Sequence, residues 1–129
     1  MDKKTILIID DDPAIVKVLS KHFEEIGATV LSAGSYGDGI AAIKAHVPDV
    51  VVIDLVLPDR SGLDVAKDIN ALPMPRPFLV VLTNSTNVED IADALDSNVT
   101  MFIQKADHDP KDIVNMIVKR VEENSKPMT

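Results

Sequence analysis

The chain has 129 residues, of which 46% are hydrophobic and 26% charged, and its formal net charge is −8. A chain of this length and hydrophobic content can bury a core of its own as a single domain, which argues against disorder. The acidic balance argues against nucleic-acid binding, which needs a basic face, and the absence of cysteine excludes disulfides and thiolate metal sites. No apolar run approaches the length of a membrane span and no secretory signal is recognised, so we expect a soluble, cytoplasmic protein without membrane contact.

Five short apolar runs alternate with longer amphipathic stretches. The runs are bounded by turn residues and several are rich in β-branched side chains, which is typical of strands. The five predicted strands are 5–9, 29–33, 49–54, 77–83 and 101–104. The third and fourth runs are almost continuously apolar, as expected for parallel strands that are covered on both faces.

The stretches between the strands carry helix start and stop signals. Capping residues or a first-turn proline predict the helix starts, which are Asp12-Pro13, Ser35, Ser61, Asn87 and Pro110. Gly27 is predicted to end the first helix, and Asn98 is predicted to end the fourth helix in the left-handed conformation. The prolines Pro73, Pro75 and Pro77 are expected to end the third helix and form an extended connector.

Apolar residues at helical spacing predict which side chains face the core. These are Ile15, Leu19, Phe23 and Ile26 in the first helix, Ile40, Ile43 and Val47 in the second, Leu63, Ala66 and Ile69 in the third, Ile91 and Leu95 in the fourth, and Ile113, Met116 or Ile117, and Val121 in the fifth. Five βα units predict a three-layer α/β domain with a parallel sheet. We expect this domain to span residues 1–123, followed by a polar tail at 124–129.

Polar residues follow four of the predicted strands. The first strand runs into Asp10-Asp11-Asp12, the third ends at Asp54, the fourth ends at Thr83, and Lys105 follows the fifth. Because functional sites in open parallel sheets form at the carboxyl ends of strands, we expect these side chains to share one edge. Their coincidence on four strands is far more informative than any single acid.

Acids crowded at such an edge need a counter-charge. Two carboxylates about 4 Å apart repel by about 4 kcal/mol at an effective dielectric near 20. A hard divalent cation relieves this repulsion, and an all-oxygen ligand set selects Mg²⁺ or Mn²⁺ over thiophilic metals. An acid held beside such a cation, a lysine and a hydroxyl is equipped for phosphoryl transfer.

Four motifs carry a resemblance to a known family. The segments "ILIIDDDP", "VVVIDLVLPDRSG", "VVLTNS" and "FIQK", in this order and spacing, resemble the receiver domains of two-component response regulators. The resemblance covers residues 5 to 121. It implies a flavodoxin-like, doubly wound (βα)5 fold with the strand order 2-1-3-4-5.

The resemblance also implies roles for five residues. Asp54 would be the phospho-acceptor, attacking the phosphohistidine of a sensor histidine kinase or a histidine phosphotransfer protein to form an aspartyl phosphate. Asp11 would bind Mg²⁺ directly, Asp10 largely through water, and the backbone carbonyl of Val56 would be a further ligand besides Asp54. Lys105 would pair with Asp54 or with the phosphoryl oxygens.

A conformational switch is part of the same resemblance. Thr83 would move to hydrogen-bond the phosphoryl group, which would let Phe102 turn inward, as a population shift between two states. The domain would catalyse only its own phosphorylation and dephosphorylation, and would signal to a downstream protein as a monomer or weak homodimer. Val56 and Ser85 flank the expected path of a hydrolytic water without offering a carboxylate or amide, which predicts modest self-dephosphorylation.

Two departures from the family pattern concern the signalling surface. Ala106 stands where the family usually has proline after the lysine. Asn98-Val99 replaces the small pair expected before the fifth strand. Neither departure changes the acids, Thr83 or Lys105. Both leave undetermined the geometry of the surface that would contact the downstream protein.

Other interpretations compete with this one. In a haloacid-dehalogenase-like phosphatase, residues 10–12 would be an Asp-x-Asp motif with Asp10 as nucleophile. Ala14 is unusual for that family, no second acidic pair follows Lys105, and Asp54 would be left unexplained. A pseudo-receiver that docks partners without phosphorylation is the third alternative.

Several single residues have simpler interpretations. Asp12 is expected to cap the first helix, with a kinetic role as the alternative. Asp59 is interpreted as turn polarity. Ala14 and Val18 either face outward as kinase contacts or lack such a role. Phe102 is either a switch or a core aromatic.

Overall fold

The structure is a computed structural model that describes residues 3–73 and 76–125. It contains one five-stranded parallel sheet with the strand order β2-β1-β3-β4-β5. The strands are β1 (Thr5–Ile9), β2 (Thr29–Ala33), β3 (Val50–Ile53), β4 (Phe78–Thr83) and β5 (Met101–Gln104). The predicted strands and the three-layer doubly wound fold are confirmed.

Helices connect the strands and cover both faces of the sheet. They are α1 (Pro13–Glu25), α2 (Tyr36–His46), α3 (Gly62–Asn70), α4 (Val88–Asp96) and α5 (Pro110–Ser125), with a short 3-10 helix at Lys105–Asp107. The predicted side-chain caps are confirmed, since Asp12, Ser35, Ser61 and Asn87 each accept a hydrogen bond from a first-turn amide. In the described part of the chain, no helix is both long and apolar enough to cross a membrane.

Two apolar clusters form the core, one on each face of the sheet. Alternate residues of every strand point to opposite faces, so Leu7 and Ile9 join one cluster whereas Ile6 and Ile8 join the other. The first cluster is closed by α2, α3 and α4, and the second by α1 and α5. The central strand β3 is buried along its whole length, as its continuous apolar run predicts.

Three predicted core residues are exposed instead. Ile26 and Val47 lie one residue beyond the last residues of α1 and α2, where the backbone has left the helix. Leu95 is 61% exposed, because α4 turns its neighbour Ala94 into the core. The predicted inward orientation of these three side chains is therefore wrong.

The residues that end the helices were predicted only in part. Gly27 and Asn98 have positive φ angles of 91° and 57°, and the left-handed conformation predicted for Asn98 is confirmed. Val47 also has a positive φ of 44°, which is strained for a β-branched residue. The third helix ends at Asn70, before Pro73, and Pro75 lies outside the described residues. Helix α5 runs to Ser125, two residues into the predicted tail, and the rest of that tail lies outside the described residues.

Candidate functional site

Strand pairing brings two acids together at the carboxyl edge of the sheet. Ile9 of β1 is in register with Ile53 of β3, so the next residues, Asp10 and Asp54, emerge side by side. The amide of Asp54 donates to the carbonyl of Ile9 at 2.9 Å, which continues the strand pairing by one residue. Asp10 is 4% and Asp54 8% exposed, so both carboxylates are held close together and largely out of water.

Asp11 completes a cluster of three carboxylates. One oxygen each from Asp10, Asp11 and Asp54 lies within 4.8 Å of the others. Asp11 is exposed, which leaves the cluster open to solvent on one side. Because all donors are carboxylate oxygens, the set fits a hard divalent cation, as the sequence predicted.

Lys105 lies against the two buried acids. Its Nζ is 2.6 Å from Asp10 Oδ2 and 2.9 Å from Asp54 Oδ2. The predicted proximity of Lys105 and Asp54 is confirmed, whereas the shorter contact to Asp10 was not foreseen. The ammonium therefore bridges both carboxylates and offsets part of their charge.

Burial and ion pairing oppose each other in this group. Burial raises the pKa of Asp10, although the hydrogen bond from Lys105 acts in the opposite direction. For Lys105, burial disfavours the charged form, but hydrogen bonds to Asp10 and Asp54 together hold its pKa above the ordinary value. Lys105 is therefore a cation at neutral pH. Burial destabilises the ionised form of Asp10, and a further cation next to this carboxylate would stabilise it.

Thr83 and Val56 donate hydrogen bonds to Asp54 Oδ1, the carboxylate oxygen that Lys105 does not contact. The buried hydroxyl of Thr83 donates to Asp54 Oδ1 at 3.0 Å, and the amide of Val56 donates to the same oxygen at 3.2 Å. Lys105 takes Oδ2, so both oxygens of Asp54 are engaged. Among the described residues, no buried side-chain polar atom lacks a hydrogen-bond partner.

The turn after Asp54 is built from main-chain contacts. Val56 forms an isolated antiparallel bridge with Ser61, and the amide of Gly62 donates to the carbonyl of Leu55 at 2.8 Å. A Cβ at position 62 would lie 2.0 Å from the carbonyl oxygen of Asp54, so this close approach requires glycine. The side chain of Val56 is 63% exposed. The carbonyl predicted as a metal ligand thus belongs to a tight turn with an exposed side chain.

A second hydrogen-bond chain runs from Thr83 towards α4 and β5. The Ser85 amide donates to Thr83 Oγ1 at 3.2 Å, and the Ser85 hydroxyl donates to the Asp90 carboxylate at 3.4 Å. Gln104 Nε2 donates to the Ser85 carbonyl at 3.0 Å. The sequence interpretation missed Gln104 and Asp90. Their pairing with Ser85 depends on the loop conformation, for which the sequence has no signal.

Phe102 stands apart from the acids. It is half-buried and packs against the core cluster that α2, α3 and α4 close. Its backbone is in register with Val81 of β4, two residues before Thr83. Its role as a switch stays a prediction.

Asp59 has partners that the sequence interpretation did not foresee. Its carboxylate accepts hydrogen bonds from the amides of Tyr36 at 2.8 Å and Gly37 at 3.1 Å, at the start of α2. The guanidinium of Arg60 lies 4.2 Å from the centroid of the Tyr36 ring. The interpretation of Asp59 as mere turn polarity is therefore wrong, because only the fold brings the turn to α2.

Comparison with known proteins agrees with this arrangement. The family model "Response regulator receiver domain" matches residues 6–118. The chain belongs to the response regulator receiver domains. This assignment removes the ground for the phosphatase alternative, which had no use for Asp54.

The receiver domain has relatives among longer regulators. It is 35% identical over 101 residues to the transcriptional regulatory protein KdpE of Mycobacterium tuberculosis, covering 78% of this chain and 43% of that protein. It is 35% identical over 124 residues to the acid tolerance regulatory protein ActR of Rhizobium meliloti, covering 96% and 63%. The chain thus spans about half the length of the curated relatives that it matches.

Solved structures support the same fold. A CheY-like response regulator receiver domain protein from Methanospirillum hungatei superposes with a TM-score of 0.86 at 27% identity, covering 95% of this chain and 96% of that one. The BeF3-activated DrrB receiver domain superposes with a TM-score of 0.81 at 22% identity, covering 93% and 98%, and shows likeness of fold.

Proposed function

We propose that this receiver domain accepts a phosphoryl group on Asp54 from the phosphohistidine of a sensor histidine kinase or a histidine phosphotransfer protein. The observation that carries the proposal is the set of partners around Asp54. Its carboxylate is bound by Lys105 and Thr83 and lies in a cluster with Asp10 and Asp11. Membership in the response regulators supports a histidine kinase as the donor.

The reaction transfers the phosphoryl group between two side chains. A carboxylate oxygen of Asp54 forms a bond to phosphorus while the bond from phosphorus to the donor imidazole nitrogen breaks, and the imidazole leaves. The tight turn at Gly62 and the hydrogen bonds from Thr83 and Val56 hold the carboxylate ready for this attack. Lys105 supplies a positive charge next to the oxygens on which negative charge accumulates.

The three carboxylates would hold Mg²⁺, with Mn²⁺ as an alternative. Asp10, Asp11, Asp54 and the backbone carbonyl of Val56 are the proposed ligands. When bound, the cation supplies the charge that offsets the carboxylates and the phosphoryl oxygens. Lys105 already spans Asp10 and Asp54, so the positions of these two oxygens are set without the cation.

We propose that phosphorylation is signalled through Thr83. Its hydroxyl now donates to Asp54 Oδ1, an oxygen whose environment changes when the side chain is phosphorylated. Redirecting this hydroxyl to the phosphoryl group pulls on the Ser85 amide and on the first turn of α4, and Phe102 would turn inward. Phosphorylation thereby shifts the population between two states of the surface formed by α4, β5 and α5.

The output is proposed to be contact with a downstream protein. One relative is named a DNA-binding response regulator, but the net charge of −8 disfavours nucleic-acid contact by this domain itself. The domain would act as a monomer or weak homodimer and catalyse only its own phosphorylation and dephosphorylation. The donor kinase takes its phosphoryl group from ATP, which is present in the cytoplasm. The proposal therefore includes a cytoplasmic location for this domain.

Phosphorylation by a small donor tests the proposal directly. The protein is incubated with acetyl phosphate and Mg²⁺, and the acyl phosphate is located by mass spectrometry after borohydride reduction. The adduct is expected on Asp54, lost in Asp54→Asn, lost on chelation of the metal, and retained in the control Asp64→Asn. An adduct that persists in Asp54→Asn would contradict the proposal. Absence of any adduct in the wild type would favour the pseudo-receiver.

A further inference from the structure

The turn that follows Asp54 reaches across to the amino end of α2. The two carboxylate oxygens of Asp59 accept hydrogen bonds from the amides of Tyr36 and Gly37, which lie 23 and 22 residues away in the chain. The local cap Ser35 accepts from the amide of Asp38. Asp59 therefore satisfies two of the amides that a helix start leaves without an intrahelical partner.

A second set of contacts fastens the tip of the same turn. The guanidinium of Arg60 stacks over the ring of Tyr36 at 4.2 Å, and Arg60 Nε pairs with Asp64 at 3.0 Å. The hydroxyl of Tyr36 donates to Asp68 on α3. The hydrogen bonds from α2 lower the pKa of Asp59, so that its carboxylate is ionised at neutral pH. The tip of the turn is thus tied to both α2 and α3.

The base of this turn carries a proposed metal ligand. Val56 pairs with Ser61 across the turn, and its amide donates to Asp54 Oδ1. The side chain of Val56 is 63% exposed and adds little packing. The position of the Val56 carbonyl therefore depends on the main-chain contacts of the turn, whose tip is held by Asp59.

We propose that Asp59 is a positioning residue for divalent-cation binding. By docking the turn on the amides of Tyr36 and Gly37, it holds the carbonyl of Val56 in place relative to Asp54. The proposal rests on the proposed function, since it takes Asp54 and Val56 as ligands. Asp59 itself does not bind the cation in this proposal.

Calorimetric titration with Mg²⁺ tests this role on the unphosphorylated protein. Asp59→Ala is expected to raise the Mg²⁺ dissociation constant by about tenfold or more, the size typical of losing a residue that supports a metal ligand. Asp59→Asn keeps one of the two oxygen acceptors that serve the helix amides and is therefore expected to restore part of the affinity. The control Asp64→Ala also removes one negative charge, but it breaks only the exposed pair with Arg60 and leaves the contacts of Asp59 with α2 in place, so it should weaken Mg²⁺ binding far less than Asp59→Ala.

A rate measurement separates positioning from chemistry. With acetyl phosphate, Asp59→Ala should need more Mg²⁺ for half-maximal phosphorylation and still approach the wild-type rate at saturating Mg²⁺. Amide hydrogen exchange at Tyr36 and Gly37 should be faster in this variant before any metal is added. If Asp59→Ala does not fold, Asp59→Ser supplies the same test, because one hydroxyl oxygen cannot span both amides.

Three results would overturn the inference. They are an unchanged Mg²⁺ affinity in Asp59→Ala, an equal loss in Asp64→Ala, and no recovery in Asp59→Asn. The second would show a general effect of charge, and the third would show that hydrogen-bond acceptance is irrelevant. A wild-type protein that binds no Mg²⁺ would instead remove the proposed function on which the inference rests.

Discussion

Helices α3 and α4 are equally long and follow β3 and β4, at whose carboxyl ends Asp54 and Thr83 lie, but the two helices are held very differently. Each has nine residues, and each begins at a side-chain cap. Helix α3 buries five residues, whereas α4 buries Ala94 alone. The amino end of α4 is instead held by hydrogen bonds: the Asn87 side chain accepts from the amides of Glu89 and Asp90, and the Ser85 hydroxyl donates to the Asp90 carboxylate.

Under the proposed function, the difference separates the chemistry at Asp54 from its readout through Thr83 and α4. The loop that carries Asp54 runs into a helix anchored in the core, so the proposed acceptor carboxylate has a fixed position. Strand β4, which ends at Thr83, leads through a short loop into a helix with little buried apolar surface, and such helices open at low free-energy cost. A hydrogen-bond change at Thr83 can therefore move α4 without disturbing Asp54.

Truncating an apolar side chain at the same position of each helix should give the largest difference in stability. Ile69 and Leu95 are each the eighth residue of their helices, and they are 2% and 61% exposed. Ile69→Ala is expected to cost about 2–5 kcal/mol because it leaves a cavity in the core. Leu95→Ala should change stability by less than about 0.5 kcal/mol. Urea unfolding of both variants measures the difference, and equal losses would contradict the comparison.

Removing the N-cap side chain of either helix should lower stability by a smaller amount. The two variants should differ in where amide exchange becomes faster. Asn87→Ala and Ser61→Ala each remove an acceptor for first-turn amides, worth about 1 kcal/mol. Because α4 has little burial to hold it, Asn87→Ala should appear mainly as faster amide exchange within α4. Ser61→Ala should lower global stability instead, since α3 unfolds with the core. Similar exchange patterns in both variants would show that α4 is not the looser helix.

A neutral residue at position 10 should change the stability of the protein least, and should raise it where the other substitutions lower it. If the Asp54 side is rigid, the Asp10 carboxylate stays buried, which is the main cost of ionising it, and stays next to Asp54, whose repulsion adds to that cost. Asp10→Asn is therefore expected to raise the melting temperature of the metal-free protein slightly at neutral pH. The variant should also show less stabilisation on addition of Mg²⁺ than is expected for the wild type, because binding of a ligand to the folded state adds to its stability and Asp10 is a proposed ligand. A lower melting temperature would show that the pairing with Lys105 outweighs the burial and the repulsion together.

The pH dependence gives a sign test for the same variant. Burial raises the pKa of Asp10, so the folded protein prefers the protonated acid. The cost of ionised Asp10 is absent below its unfolded-state pKa and is complete above its raised folded-state pKa. The stability advantage of Asp10→Asn should therefore grow as the pH rises through that raised pKa. An advantage that shrinks over this range would assign it to another cause.

The sequence was informative wherever a local rule decides the outcome. Parallel strands expose their carboxyl ends on one edge, so the runs ending at Ile9, Ile53 and Thr83 were sufficient to group the acids with Thr83. The caps Asp12, Ser35, Ser61 and Asn87 act within three residues, and all four were predicted. Local patterns were insufficient at Leu95, where the packing of α4 decided which of two adjacent apolar residues is buried.

By itself, the sequence determined the fold class, the strand order through its resemblance to a family, and the grouping of Asp10, Asp11, Asp54, Thr83 and Lys105. Only the tertiary structure decided that Lys105 also binds Asp10 and that Gln104 holds Ser85. It alone placed Asp59 on the amides of α2. These contacts join residues from separate loops, and their partners are selected by the spatial approach of those loops, which no periodicity or short motif encodes.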